Sequence, residues 1–457
     1  MKLIKFIGNA VRGYMNFNIT FRDSVTFLIG INGAGKTTVL KLLSGLLTPS
    51  YLDLVQIDFT TIELHCEINS DGREIVISCD KTDDELQIRY MDSTLKVPIV
   101  NKVPYSKKNS ESRKTFYKTL DTERINNNVM LFEDTQVVCK IKQLNTPLFL
   151  GLNRRITDVK SRNHEFDIYF QQVERKHLDV SFDAVDEALR DIQDMFYDSV
   201  RRNARSQISI SENFRKRIFA ESFKICKPTE IINIDYSHEL TLLEKRQTEL
   251  NSAIIKLGIK DLQTQFAEYF TSIKQTLETL SNTPSMDETQ ESVNPEYFSA
   301  LLDWMLNSNQ IEKIDKIIGY ANEYSNSIQR LKDPILRFTE GTNLFFKEGK
   351  KEIKVNEQGD IIVEIKGTKK TNSIYELSSG EKQLIIMLAH LAFCKNKGRR
   401  KIFIIDEPEL SLHISWQEIF VDALLKTSPE TQFVMATHAP SILAKQERKE
   451  WCEDLSK

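Results

Sequence analysis

The 457-residue chain sets 62 Lys and Arg against 65 Asp and Glu and is 40% hydrophobic and 28% charged. This is a globular composition with ample core and no overall charge to draw it onto nucleic acid, so any such surface would have to be a local patch. No run of about 18 apolar residues excludes a helical membrane span, the N-terminal MKLIKFIGNAVRGY lacks the apolar segment of a secretory leader and points to the cytoplasm, and six cysteines standing singly at 66, 79, 139, 226, 394 and 452 argue against a zinc site or a disulfide framework.

Lys2 to Phe21 alternates, with Ile4, Phe6, Val11, Phe17, Ile19 and Phe21 apolar, and predicts a hairpin. It leads into VTFLIG, a buried-strand run, and then into INGAGKT, so that Gly30, Gly35, Lys36 and Thr37 spell G-x-x-x-x-G-K-[ST]. Between a strand and a helix that pattern cradles phosphate: backbone N–H groups of residues 32 to 37 wrap the β-phosphate, and the positive helix end faces the charge. Lys36 would bridge the β- and γ-phosphates, and Thr37 would offer its hydroxyl oxygen to Mg²⁺. Gly33 and Gly35 avoid a side chain that would block the phosphate or force a forbidden φ. Val39, Leu40, Leu42 and Leu43 give the following helix its apolar spacing. Gly30, Asn32, Gly33, Ala34, Gly35, Lys36, Thr37 and Thr38 are the candidate nucleotide-contacting residues.

Asp58 to Tyr90 reads as three strands broken at Ser70-Asp71-Gly72 and Thr82-Asp83-Asp84, a small antiparallel sheet. Residues 105–118, YSKKNSESRKTFYK, predict a basic loop, and Thr146 to Leu152 another buried strand, followed by Asn153, Arg154 and Arg155. From about 165 to 345 the pattern turns helical. Phe182 to Val200 is amphipathic, and apolar residues at 243, 250, 254, 257, 262, 266, 270, 273, 277 and 280, interrupted by Gly258, predict a short helical hairpin. Ser281 to Pro295 is acidic and proline-bearing and is expected to be disordered. Arg201, Arg202, Arg205, Arg215, Lys216 and Arg217 form the densest basic cluster, a solvated helix face or a phosphate-backbone contact. Strands are expected again from Leu336, with a hairpin turning at Gly359.

Three further constellations follow. YELSSGEKQLIIMLAHLAF, residues 375–393, is a polar turn opening a strongly apolar helix. KIFIIDEPELSLH, residues 401–413, is a buried strand ending in Asp406-Glu407, an acidic pair where an α/β sheet places its ligand. Asp406 would hold Mg²⁺, and Glu407 would polarise the attacking water. QFVMATHAP, residues 432–440, is another buried strand ending in His438, a side chain able to touch a γ-phosphate.

Phosphate loop, LSSGEKQ, IIDEP and THAP, in this order, resemble the ATP-binding-cassette class of ATPases. The separation of 370 positions from Lys36 to Asp406 is similar to the spacing in the RecF, SMC and OLD branch and unlike transporter cassettes. The wording ELSSGEKQ, DEPELSLH and ATHAPSIL resembles OLD-like ATPases of prokaryotic anti-phage defence. The resemblance covers roughly residues 1–155 and 336–445. It implies an α/β head, in which a mixed β-sheet with the phosphate loop is joined by an antiparallel β-subdomain, and a mainly helical insertion with a short coiled-coil-like hairpin. The chain then divides into 1–160 and 336–457 for the two halves of the head and 161–335 for the insertion. It also implies ATP and Mg²⁺ as ligands, Ser378 and Gly380 reaching the γ-phosphate of a second copy, and Ser411 in the loop joining the two sites. Ser379 and Glu381 stand where transporters have glycine and glutamine. No obvious lobe-sensor glutamine follows the Thr146–Leu152 strand; Arg154 or Arg155 stands there, and Gln143 precedes it.

Only 19 residues follow His438, where full OLD nucleases carry a Toprim domain, and no HNH spacing or second acidic cluster is present. The resemblance therefore implies an ATPase that dimerises around ATP and licenses a separate effector nuclease. That matches the Septu type, with an HNH nuclease, in preference to the PARIS type, with a Toprim protein, and a phage or nucleic acid as trigger. The alternative is a DNA-binding ATPase of the RecF or SMC kind acting in repair.

Overall fold

The computed structural model describes the chain except residues 69–71, 100–131, 133–134, 145–146, 151–155, 159–180, 225–234, 258, 260, 262, 284–285, 288–291, 369, 394–400 and 457. The expected loop at 105–118, residues Asn153 to Arg155 and the interrupting Gly258 lie outside the described residues. Among those described, no helix is long and apolar enough to cross a membrane. The chain divides into two units, Met1–Met195 with Ile335–Lys457, and Phe196–Pro334.

The first unit is built on two six-stranded sheets. One is antiparallel in the order β2-β1-β4-β5-β6-β7, from β1 (Lys2–Val11), β2 (Met15–Thr20), β4 (Thr61–Ile68), β5 (Arg73–Lys81), β6 (Glu85–Tyr90) and β7 (Ser93–Pro98). The expected hairpin and three-stranded sheet are thus one sheet, because β1 pairs with β4 through Phe6↔Leu64, and β7 extends it by a strand the sequence reading left out. The other sheet has the order β17-β3-β16-β15-β8-β9. Its central members β3 (Val25–Ile29), β15 (Lys401–Asp406) and β16 (Thr431–Ala436) are buried almost throughout, as parallel strands covered on both faces must be. Outside them lie β8 (Leu148–Leu150), parallel to β15, and β9 (Ile156–Asp158), antiparallel to β8. The opposite edge is β17 (Cys452–Asp454), which runs parallel to β3 with Trp451 stacked 6.5 Å from Phe27.

Between the sheets sits α1 (Lys36–Leu47), whose Val39, Leu40, Leu42 and Leu43 are all fully buried in a core shared with Phe6, Leu64 and Ile404. Gln432 fastens one sheet to the other: its Nε2 donates to Leu3 O and Arg22 O, and its Oε1 accepts from Leu3 N. A short helix α2 (Tyr51–Gln56) follows α1, and α3 (Gln136–Lys142) packs by β6 and β7.

The second unit is helical. It takes in most of α4 (Ser181–Ser222), then α5 (Tyr236–Leu257), α6 (Gln263–Asn282) and most of α7 (Pro295–Phe346). Leu243, Leu250, Ile254, Phe270, Ile273, Leu277 and Leu280 bury the seam of the α5–α6 hairpin, completed by Trp304, Ile311 and Ile318 of α7. Contacts Asn203 to Leu331, Ser211 to Tyr324 and Arg217 to Glu323 set α4 and α7 antiparallel. Arg217 also lies 3.9 Å over the Tyr320 ring, so one member of the basic cluster is committed to internal packing. The segment expected to be disordered contains a two-strand ribbon, β10 (Met286–Asp287) with β11 (Ser292–Val293), because local pairing satisfies its backbone despite the acidic composition.

Strands resume later than expected. α7 continues through Phe346, anchored by Phe345 and Phe346 against Trp416, and only then come β12 (Lys351–Val355), β13 (Ile361–Ile365) and β14 (Thr371–Ser373). After them α8 (Ser379–Phe393) and α9 (Ile414–Thr427) lead into β15 and β16 respectively, and α10 (Gln446–Lys449) precedes β17.

Candidate nucleotide site

Parallel registers Asp406↔Ala436 and Ala436↔Leu28 bring the carboxyl ends of β15, β16 and β3 to one edge of the sheet. That edge is where an open α/β sheet receives a ligand. From β3 the chain turns through residues 30–35 into α1. Gly35 has φ 90°, and a Cβ there would meet Phe17 Cζ at 2.7 Å and Met15 Sδ at 3.0 Å, so the β1–β2 hairpin itself demands glycine at this corner. Gly33, also at φ 90°, has open space around it, which leaves its backbone conformation as the reason for glycine. Asn32 and Gly33 are exposed at the crown of the loop, Ala34 donates its N–H to Ile31 O at 3.1 Å, and Thr38 is buried in the first turn of α1.

Lys36 is 5% exposed. Its Nζ donates to Gly30 O at 3.0 Å and Ile31 O at 3.4 Å and packs against both ring nitrogens of His438. Burial lowers its pKa, against the pull of Glu407, Asp406 and Glu409. Thr37 donates its hydroxyl to Asp406 Oδ1 at 3.2 Å, and burial at 4% exposure raises the Asp406 pKa. A hydroxyl and a carboxylate oxygen side by side suit Mg²⁺, a hard cation that completes its shell with phosphate and water; Thr37 and Asp406 would hold it.

Glu407 adopts φ 50°, ψ 61°, a left-handed conformation that costs a non-glycine residue about 1–3 kcal/mol. Its N–H donates to Ala436 O at 2.9 Å, and its Oε1 lies 3.4 Å from His438 Nε2. Burial and the neighbouring Glu409 carboxyl push its pKa up to about 8. Lys36, Thr37, Asp406, Glu407 and His438, scattered over 402 positions, therefore form one cluster. Beside it opens a cleft of about 580 Å³ lined by Gly30, Thr437, His438, Leu443, Lys449 and Cys452.

Ser378 and Gly380 stand apart from this cluster: no hydrogen bond or ion pair links them to it among the described residues. Ser378 donates its N–H and its hydroxyl to Glu381 Oε2, both at 2.9 Å, and its Oγ accepts the Glu381 N–H at 3.4 Å. This is a reciprocal capping box at the start of α8, with Lys351 of β12 at 2.7 Å from the other Glu381 oxygen. Burial raises the Glu381 pKa, but Lys351 and the Ser378 donors outweigh it and hold the carboxyl low. Ser411 closes the 3-10 turn Pro408–Ser411 that follows Glu407. Arg154 and Arg155 lie outside the described residues, and Gln143 lines a separate cleft of about 290 Å³ with Tyr90, Met91 and Lys140.

Two contributors are not legible in the sequence, and a third is legible only as a departure from transporters. Glu409 accepts hydrogen bonds from the loop after β16. Glu381, noted for replacing the transporter glutamine, engages the donors of the LSSG turn. The tail contributes β17, and Ser456 Oγ accepts the Ile31 N–H of the phosphate loop at 3.1 Å.

A family profile described as an AAA ATPase domain matches residues 1–443. Among curated proteins, a retron Vc95 probable ATPase of Vibrio cholerae serotype O1 biovar El Tor is 38% identical over 80 residues, 16% of each chain. A retron Ec83 probable ATPase of Escherichia coli is 26% identical over 162 residues, 33% of this chain and 28% of that one. The chain thus matches under a third of the length of either relative. Solved structures of Smc head domains align along most of the chain. That from Pyrococcus furiosus, with an extended coiled coil bound to the C-terminal domain of ScpA, has TM-score 0.39 and 13% identity over 97% of this chain and 91% of its own. That from Thermotoga maritima has TM-score 0.39 and 12% identity over 97% and 92%. Overlap this loose says nothing of assembly.

Proposed function

Because the chain belongs to the AAA ATPase domain family, we propose that it binds ATP with Mg²⁺ on residues 30–38, hydrolyses it, and closes on a second copy of itself around the nucleotide. The observation that carries this reading is the convergence of Lys36, Thr37, Asp406, Glu407 and His438 within hydrogen-bonding reach at one sheet edge. A γ-phosphate between Lys36 and His438 would take over the contacts Lys36 makes with Gly30 O and Ile31 O. Mg²⁺ supplies positive charge to the phosphates when bound; Thr37 and Asp406 orient it. Glu407, one residue beyond, would accept a proton from the attacking water.

In the finer reading, which is ABC-like, Ser378 and Gly380 contact the γ-phosphate of the partner copy, and the dimer restrains or licenses a separate effector nuclease of the HNH or Toprim type in anti-phage defence. The likeness to two relatives named as retron ATPases favours a setting of this kind over a repair role. The test is Glu407→Gln. It should keep ATP binding and slow turnover by about 10² or more, the scale of a lost general base. Hydrolysis at the wild-type rate would overturn the assignment.

A further inference from the structure

One carboxylate organises the loop that carries His438. Glu409 Oε1 accepts the N–H of His438 at 2.7 Å and of Ala439 at 3.0 Å, and Oε2 accepts the Thr437 hydroxyl at 2.8 Å. Its own backbone is fixed in the 3-10 turn after β15, where its carbonyl accepts Leu412 N–H at 3.1 Å and Gln417 Nε2 at 3.4 Å. The segment after β16 is therefore shaped by a side chain from the segment after β15. The sheet ladder ends at Asp406↔Ala436; beyond it the Thr437 N–H still reaches Leu28 O at 3.3 Å, whereas the N–H groups of His438 and Ala439 are taken by Glu409. The His438 ring meets Lys36 and Glu407 only while this loop keeps its form.

We propose that Glu409 is a positioning residue for the reaction: it holds His438 where a γ-phosphate seated on Lys36 must pass, acting through the loop and without touching nucleotide. The inference rests on the ATP site proposed above.

Two substitutions separate this role from others. Glu409→Ala deletes the two oxygens that accept all three hydrogen bonds. In Glu409→Gln the amide oxygen keeps both N–H groups, while the amide NH₂ faces the Thr437 hydroxyl, which turns round to accept it. Hydrolysis should fall about 10²-fold in Glu409→Ala, the scale of a reacting group displaced by about 1 Å. ADP binding and the unfolding midpoint should hold, and Glu409→Gln should recover most of the loss. In a His438→Ala background, Glu409→Ala should cost much less than it does alone, because the loop acts through His438 and only the effect of the Glu409 carboxyl on Glu407 remains.

Full activity in Glu409→Ala, an undiminished loss in the His438→Ala background, or a Glu409→Gln as inactive as Glu409→Ala would overturn the positioning role. So would a parallel fall in ADP affinity and unfolding midpoint, which marks a merely structural contact. Wild-type protein that binds no ATP would instead overturn the site itself, and this inference with it.

Discussion

Lys36 is the residue on which the site depends most, since a nearly buried ammonium must be matched by carbonyls, a histidine ring or a phosphate. On the proposed reading, replacing it would remove the charge-assisted contacts to phosphate while leaving the loop's N–H groups. Lys36→Ala should therefore weaken binding of a fluorescent ATP analogue by about 10- to 100-fold, a loss of about 1.5–3 kcal/mol. An unchanged affinity would place the nucleotide elsewhere. At this scale legibility tracked local patterning. Lys36, Thr37, Asp406 and His438 are recognisable because each ends an apolar strand or begins a helix. Glu409 is not, because its partners are 28 to 30 positions away and defined only by the turn that aims it.

Elements were legible where burial is continuous. β3, β15 and β16 are short apolar runs stopped by polar residues, and a parallel sheet is the arrangement that covers both their faces. The lengths of α4 and α7 were not legible, because Pro334 inside α7 reads as a stop and mixed faces weaken the periodicity. β17 was missed for another reason: Cys-Glu-Asp has no strand pattern, and its place comes from backbone pairing with β3 and the Trp451 stack. The junction of the two sheets was hidden as well, since it depends on one fully buried amide. Gln432→Leu would strand the Leu3 N–H, Leu3 O and Arg22 O groups without their partner. Each buried polar group so orphaned costs about 1–3 kcal/mol, so thermal unfolding of the protein should begin at a visibly lower temperature. An unchanged melting profile would show that water or a shifted backbone satisfies these groups.

For the whole molecule, the helix start at Ser378 is the feature that points beyond one chain. Its donors are held in a capping box, and among the described residues no hydrogen bond or ion pair joins them to the Lys36 cluster of the same chain. On the proposed reading they await the phosphate of a second copy, with Glu381 giving way as that anion arrives. The same proposed reading assigns cutting to a partner. Purified protein should cleave neither DNA nor RNA with any divalent metal; robust cleavage by a preparation free of contaminating nuclease would reveal an active site of its own.

The shared site is the central claim, and hydrolysis by a mixture of two inactive variants tests it most directly. Lys36→Ala disables the phosphate loop, and Ser378→Arg blocks closure by bulk and charge at the signature turn. Each homodimer should be inactive. In the mixed dimer one composite site carries both lesions and the other carries neither, so mixing should restore ATP hydrolysis well above either variant alone. A mixture that stays at the level of its parents, or a Ser378→Arg protein that alone hydrolyses ATP at the wild-type rate, would contradict the account.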